Sequence, residues 1–355
     1  MIHAHRRDRI RRALLDLGLE APLLVTDLHN VRYLTGFSGS NAVLVVAPDA
    51  AGDVIGTDGR YRDQVVEQCP DLPVIIDRQT LSAIASTMTG SGAAVESSLT
   101  VADERDLRDR GIDVRPVAPL IEALRARKDE VEIDAIARAC QITAAAFAAL
   151  AQEIRRGDCE RDVARRLEQL FGQLGAEDRA FASIVASGPH AAIPHHEPGG
   201  RRLESGDLLV IDAGARVDGY HADMTRTFIV AAEPEPWQSE IHGSVQRAQA
   251  AAVDACRVGV EARAVDAVAR TLLADDGFGA AFSHGLGHGV GLAIHEAPMI
   301  SQHSTGTIEA NMAITAEPGA YLVGRGGVRI EDTLVVTDSG PRILTEAPRE
   351  LVVVG

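Results

Sequence analysis

The chain has 355 residues, 46 % of them hydrophobic, and a formal net charge of −16. That length suits two domains better than one and supplies apolar material for a sizeable core. The acidic balance argues against nucleic acid or an anionic membrane as a partner, because both select basic surfaces; it fits a solvated cytoplasmic protein.

The N-terminal stretch MIHAHRRDRIRRALLDLGLE is basic and lacks the apolar segment of a secretory signal. Ile10, Leu14, Leu17 and Leu19 mark an amphipathic helix, with His3 and His5 expected in solvent. Residues 1–120 read as alternating helix and strand: NAVLVVAPD and LPVIID as strands, RYRDQVVEQC and TLSAIASTM as helices. VRPVAPL, with two prolines, reads as the connection to a second domain over 121–355. One long helix is expected over 122–154, closed by Gly157, and a second up to Gly175. Strands follow in AFASIVASG and in DLLVIDAGARVDGYHADMTRTFIV, then helices near 237–257 and 261–275, then strands to the end. The repeated order of helix pair and strands suggests a duplication without proving it. No apolar run approaches the ~20 residues of a membrane span. Cys69, Cys140, Cys159 and Cys256 form no C-x-x-C pair and are expected as reduced thiols.

FSHGLGHGVGLAIHEAP carries His284 and His288 four apart, as a metal-binding helix would. Gly285, Gly287, Gly289 and Gly291 on alternate positions exclude that helix, since each interior glycine costs roughly 1 kcal/mol relative to alanine. The segment must be extended or looped, with its backbone close to something; bound metals and substrate are the expected neighbours.

Asp212 ends an apolar run and Asp223 lies in the next one, with the turn signal Asp218-Gly219 between them. Their separation is odd, so a hairpin points both side chains to one face. A turn centred on Val217-Asp218 sets them directly opposite; one centred on Asp218-Gly219 makes them diagonal neighbours. Like charges so close require a proton or a cation. Glu317 ends the apolar run MAITA and Glu331 sits inside VRIEDTLVV, where unpaired charge is costly. Arg329 shares a strand face with Glu331 and can partner one acid, not four. With His288 as a neutral nitrogen ligand, the set suits two divalent ions sharing carboxylates. The oxygen-rich donors point to Mn2+ first, with Co2+, Fe2+ or Zn2+ as replacements. Such a pair supports hydrolysis.

At these residues the sequence resembles the pita-bread metallopeptidases of family M24: prolidase, aminopeptidase P and methionine aminopeptidase. The resemblance runs in order through D-A-G at 212–214, A-D-M-T-R-T at 222–227, H-G-L-G-H-G-V-G at 284–291, H-E-A-P at 295–298, A-E-P-G at 316–319 and R-I-E-D at 329–332. VRYLTGFSGSNAVLVV and TDGRYRDQ resemble the extra domain of the prolidase and creatinase branch. The resemblance implies an α/β (α+β) architecture, with a C-terminal pita-bread domain behind a smaller N-terminal creatinase/prolidase-type α/β domain, and commonly a homodimer. It implies Asp212, Asp223, His288, Glu317 and Glu331 as metal ligands and Glu317 as proton acceptor. It also implies His195 on a loop over the site, His295 as stabiliser of the reacting amide, and Arg329 beside the last ligand among the residues serving substrate. His196 competes with His195 for the loop role, and His195 is preferred because it directly follows Pro194. His284 either lines the pocket or satisfies a backbone carbonyl; His221 and His303 are expected to be structural or exposed.

The activity implied is hydrolysis of the bond preceding proline in small peptides, as an Xaa-Pro dipeptidase. Some family dipeptidases carry an arginine shortly after H-E-x-P where this chain has Met299. That leaves open an aminopeptidase P-like action on longer peptides, with Arg325 or the N-terminal domain as a replacement contact. A creatinase-like hydrolase without metal, a non-catalytic binding protein and a metal-free structural protein are rivals, and the first two typically lack several of these ligands.

Overall fold

The computed structural model describes residues 2–88 and 92–355, which divide into two units between Arg125 and Ala126. The first unit is built on a six-stranded sheet in the order Val74–Ile76, Val54–Thr57, Ala42–Val46, Leu23–Val25, Gly92–Val95, Asp113–Pro116. Every residue of Ala42–Val46 is buried, as expected of a strand with both faces covered. The N-terminal helix Ile2–Asp16 is amphipathic in an unexpected sense: Arg6, Arg7 and Arg11 are buried along with Ile10 and Leu14. Arg7 and Arg11 both bind the buried Asp53, and His3, expected in solvent, bonds the Tyr33 carbonyl. Leu17 lies beyond the helix and is exposed.

Two readings at the junction are corrected. Half of VRPVAPL is the edge strand Asp113–Pro116, the place in a sheet that tolerates proline. The expected single long helix is two, Leu120–Ala126 and Glu130–Glu153. Asp129 separates them by accepting the Glu132 N–H while the Glu132 side chain returns to the Asp129 N–H, a capping box. The first helix belongs with the N-terminal unit, because its Glu122 and Arg125 both bond Asn30. The boundary therefore falls five residues beyond the expected 120. The second helix ends at Glu153, so Gly157 (φ 92°) turns the chain after it rather than capping it. Contrary to the expectation of no such segment, Glu130–Glu153 has the length and apolarity to cross a membrane, and half of its apolar stretch is buried inside the fold.

The second unit repeats a helix pair against strands. Glu130–Glu153 and Glu160–Gln173 cover the four-stranded sheet Val352–Val354, Met224–Val230, Leu208–Ala213, Ile184–Ser187. Pro236–Ala255 and Ala262–Asp275 pack over residues of the five-stranded sheet Glu296–Ile300, Gly287–Gly289, Ala313–Ala316, Asp332–Thr337, Gly340–Ile343. Strand alternation then places the acids. Leu209, Ile211 and Ala213 pack with the first helix pair, and Leu208 and Val210 pack with the other core. Asp212 therefore leaves the strand on the inner face, between the two helical layers.

Candidate metal centre

The hairpin register decides between the two alternatives. Val217 pairs with Tyr220 and Asp212 with Thr225, so the turn centres on Asp218 and Gly219, both at positive φ (50° and 80°). Asp223 is thus the diagonal neighbour of Asp212. Glu331 enters from the opposite side: its N–H donates to the Thr225 carbonyl at 3.1 Å, and its Oε2 accepts from the Thr225 hydroxyl at 2.7 Å. Next to it, the fully buried Asp332 is gripped by Arg226, Gln249, Thr345 and Arg349, and Arg226 also holds the Glu331 carbonyl. Glu317 leaves the end of Ala313–Ala316, fixed by its N–H to the Leu286 carbonyl at 2.8 Å.

His288 comes from the glycine-rich segment, which is an extended strand over Gly287–Gly289. The glycines answer to neighbouring strands rather than to metals. A Cβ on Gly287 would lie 2.2 Å from the Thr315 carbonyl oxygen, and one on Gly289 would lie 2.2 Å from that of Ala297. His288 points the other way. Its Nδ1 donates to the Gly289 carbonyl at 3.0 Å, so in the neutral ring Nε2 carries a lone pair. That lone pair faces Asp223 Oδ2 at 3.5 Å and Glu317 Oε1 at 3.6 Å.

All five residues line one cavity of about 380 Å3, together with Phe181, His195, Ile294, His295, Met299 and Arg329. Asp223, His288 and Glu331 each offer a ligand atom within 4.8 Å of the others. Asp212 Oδ1 and Asp223 Oδ1 are buried with no hydrogen-bond partner among the described residues. Burial, reinforced by the neighbouring carboxylates, pushes Asp223 and Glu331 well above the usual carboxylate range. Burial lifts Glu317 to about 8, and it lowers His288 to about 4. Acceptors facing acceptors, two orphaned oxygens and carboxylates that resist ionising describe a site completed by cations. The donors fit divalent metal.

Arg329 lines the cavity beside the acids and binds one of them. Its guanidinium is spent on the protein, donating to Asp212 Oδ2 (2.7 Å), Thr225 Oγ1 (3.1 Å), Tyr321 Oη (2.8 Å) and the Pro194 carbonyl (3.3 Å). These bonds engage four of its five N–H groups, and one of them orients Asp212. It also does not bond Glu331 directly; Thr225 stands between them. His284 meets both of its expected descriptions: it lines the cavity, and its Nδ1 donates to the Gly285 carbonyl at 2.8 Å. Its Nε2 takes the Tyr321 hydroxyl at 2.9 Å, so neither nitrogen is left for a ligand. Burial holds it neutral, with a pKa lowered to about 4.

His195 and His295 are exposed, line the cavity and have no hydrogen-bond partner among the described residues. His295 packs edge-on against the His288 ring, centroids 4.4 Å apart. His196 turns away to Glu160 at 2.9 Å, which separates it from its neighbour. His221 is buried on the Gly291 carbonyl, and His303 is exposed. Arg325 lies over the Trp237 ring, 4.0 Å from its centroid, and is not part of the cavity wall. Thr225, Tyr321, Lys128, Glu160 and Asp332 escaped the sequence reading. Only Thr225 carried a usable signal, two positions from Asp223 on the same strand face.

The chain belongs to metallopeptidase family M24, which it matches over residues 134–338, and residues 6–127 match the creatinase/prolidase N-terminal domain. Among particular proteins, it is 42 % identical over 260 residues to an Xaa-Pro dipeptidase of Pyrococcus horikoshii, covering 73 % of this chain and 74 % of that protein. The structure of an Xaa-Pro dipeptidase from Bacillus anthracis superposes with a TM-score of 0.94 at 33 % identity, covering 99 % of this chain and 100 % of that one. An X-Pro aminopeptidase from Thermotoga maritima superposes with a TM-score of 0.91 at 32 % identity, covering 98 % of this chain and 99 % of that one. The fold is therefore the pita-bread metallopeptidase domain behind a creatinase/prolidase-type N-terminal domain.

Proposed function

We propose that the chain is an Xaa-Pro dipeptidase, hydrolysing the bond before proline in small peptides with two divalent ions, Mn2+ first, held by Asp212, Asp223, His288, Glu317 and Glu331. The observation that carries this reading is the convergence of those five side chains, with His195 and His295 unpaired beside them, on one cavity. Divalent ions bound there supply charge that polarises the scissile carbonyl and acidifies water. Glu317 is the carboxylate placed to take up the proton of that water at a carboxylate oxygen. His295, lowered by burial and by His195, stays a neutral ring that offers one N–H to the peptide oxygen. Phe181, Ile184, Ile294, Met299 and Ile300 give the cavity an apolar wall suited to a proline ring. An Xaa-Pro amide has no N–H to satisfy.

One observation favours a second reading, release of the N-terminal residue from longer Xaa-Pro peptides. Arg329 is the one arginine in the cavity wall among the described residues, and it is engaged; Met299 is half-exposed there. A dipeptide carboxylate thus meets a guanidinium largely committed to the protein. The proposal extends to a homodimer and to a cytoplasmic location; only the latter draws on the four free cysteines, which suit a reducing compartment. The test is turnover of Xaa-Pro and Xaa-Pro-Yaa peptides with added Mn2+, using Asp223→Asn as control. Cleavage of neither class by wild-type protein, or full activity in the control, overturns the reading. Preference for the longer peptides selects the second.

A further inference from the structure

Glu160 is the first residue of the helix Glu160–Gln173, and its side chain is fully buried. It accepts five hydrogen bonds, all from the segment Ser187–Gly199. Oε1 takes the Ser187 N–H (2.9 Å), the Ser187 hydroxyl (2.7 Å) and His190 Nδ1 (3.0 Å). Oε2 takes His196 Nε2 (2.9 Å) and the Gly199 N–H (3.2 Å). The donors come from both ends of the segment and from its middle. His190 and His196 close over the carboxylate with ring centroids 4.3 Å apart.

Burial alone would raise this carboxyl, but donation from His196, Ser187 and His190 prevails and pulls it down to about 2. The group is an anion at neutral pH. A buried anion is tolerated only when its partners are held in place, so the cost of burying it is converted into a fixed loop geometry. The same three side chains, Glu160, His190 and His196, have a composition that suits a metal ion. Every carboxylate oxygen is already saturated by donors, however, and the site sits at a helix N-terminus, where a cation is disfavoured.

His195 lies in the middle of the tethered segment. Pro194, just before it, accepts from Arg329, and His196, just after it, bonds Glu160. The residue between these two anchors is the one that makes no hydrogen bond among the described residues and lines the cavity.

We propose that Glu160 is a positioning residue of the active site: its carboxylate gathers Ser187–Gly199 so that His195 is presented over the metal ligands, and it acts on peptide hydrolysis through His195. This rests on the peptidase reading above. In Glu160→Gln one oxygen becomes a donor facing donors, and one end of the segment is released. The expected loss in kcat/KM is on the order of 10–100-fold, the effect of misplacing a positioned group by about 1 Å.

The distinguishing readout is coupling. In a His195→Ala background, Glu160→Gln should cost less than about twofold more, because the two changes remove one contribution. Backbone amide exchange across Ser187–Gly199 should accelerate in Glu160→Gln, while Asp212 and Asp223 keep their metal stoichiometry. Equal losses in the two backgrounds, or unchanged exchange with unchanged kcat/KM, overturn the proposal. Should Glu160→Gln fail to fold, His196→Ala, which leaves the carboxylate and removes one donor, is measured for the same coupling and exchange. If wild-type protein cleaves no Xaa-Pro peptide, the peptidase reading fails, and unaccelerated exchange in the variant then overturns the anchoring by itself.

Discussion

Arg329 and Asp212 are joined by a 2.7 Å bond from Nη2 to Oδ2, and that bond settles which oxygen of Asp212 remains for a cation. Oδ1 stays without a hydrogen-bond partner. The same guanidinium reaches Glu331 through the Thr225 hydroxyl, so one arginine orients carboxylates from two distant parts of the chain. Outer partners of this kind typically change metal affinity or activity by about 10–100-fold when removed. Arg329→Met should therefore weaken divalent-metal binding by roughly that factor. Titration calorimetry on metal-stripped protein measures it, and wild-type affinity in the variant would show that Asp212 needs no orienting partner.

Thr225 both accepts from Arg329 and donates to Glu331, fully buried. Thr225→Val keeps the shape and removes both bonds, leaving buried polar groups unsatisfied at about 1–3 kcal/mol each. Urea unfolding of the metal-loaded protein should show a destabilisation in that range, and Thr225→Ser, which keeps the hydroxyl, should recover most of it.

Metal removal should make stability depend on pH in a particular direction. Burial raises Glu317 from 4.5 to about 8, and Asp223 and Glu331 are raised by burial and their carboxylate neighbours. The folded, metal-stripped protein therefore holds protons that the unfolded chain has already released. That contribution is complete below the unfolded pKa and is lost as pH rises through the folded one. His288 and His284, lowered from 6.5 to about 4 by burial, act oppositely, and their contribution is lost as pH falls below 6.5. Above that value only the carboxylates act. The melting temperature of the stripped protein should fall between about pH 6.5 and 8, and Mn2+ should abolish the fall. A flat profile in this window would mean that the carboxylates are already ionised without a cation.

The five side chains that meet in one cavity were legible because they rest on local facts: acids at the ends of apolar runs, an odd spacing across a turn, and ordered motifs. The hairpin was foreseen, but its register was not, because Asp218-Gly219 and Val217-Asp218 are both plausible turn centres. Which acid Arg329 partners stayed open for a similar reason: strand periodicity puts it on one face with Glu331, and the fold brings Asp212 from a distant strand to its Nη2. Thr225, Tyr321 and Glu160 act only through neighbours far along the chain, and a single sequence carries no record of such pairings. The alternating glycines were recognised as a close approach, but the approaching group proved to be backbone at Gly287 and Gly289 and the Glu296 side chain at Gly291.

His295 has the exposure and the free ring nitrogens to meet the reacting peptide, and it stands 4.4 Å from His288 by ring centroid. As a donor to developing negative charge it should be worth about 10²–10³-fold in kcat. His295→Ala should lose that factor with metal content unchanged. A loss confined to KM would make it a binding residue only, and unchanged kcat/KM would remove it from the reaction.

Behind His295 lies a buried ion pair. Strand alternation turns Glu296 away from the cavity, and its Oε1 meets Lys128 Nζ at 2.5 Å with the lysine side chain wholly inaccessible. Gly291 leaves the space: a Cβ there would lie 2.2 Å from Glu296 Oε1. Removing one member of a buried pair typically costs about 3–5 kcal/mol, whereas replacing both by apolar groups is often near neutral. Lys128→Met should therefore destabilise the second unit by that amount in chemical denaturation, and Lys128→Met with Glu296→Leu should recover much of it. The double variant then separates stability from catalysis. If it regains wild-type stability while kcat stays depressed, the pair serves to fix the Gly291–His295 turn; if both recover together, the pair's charge is dispensable for holding His295.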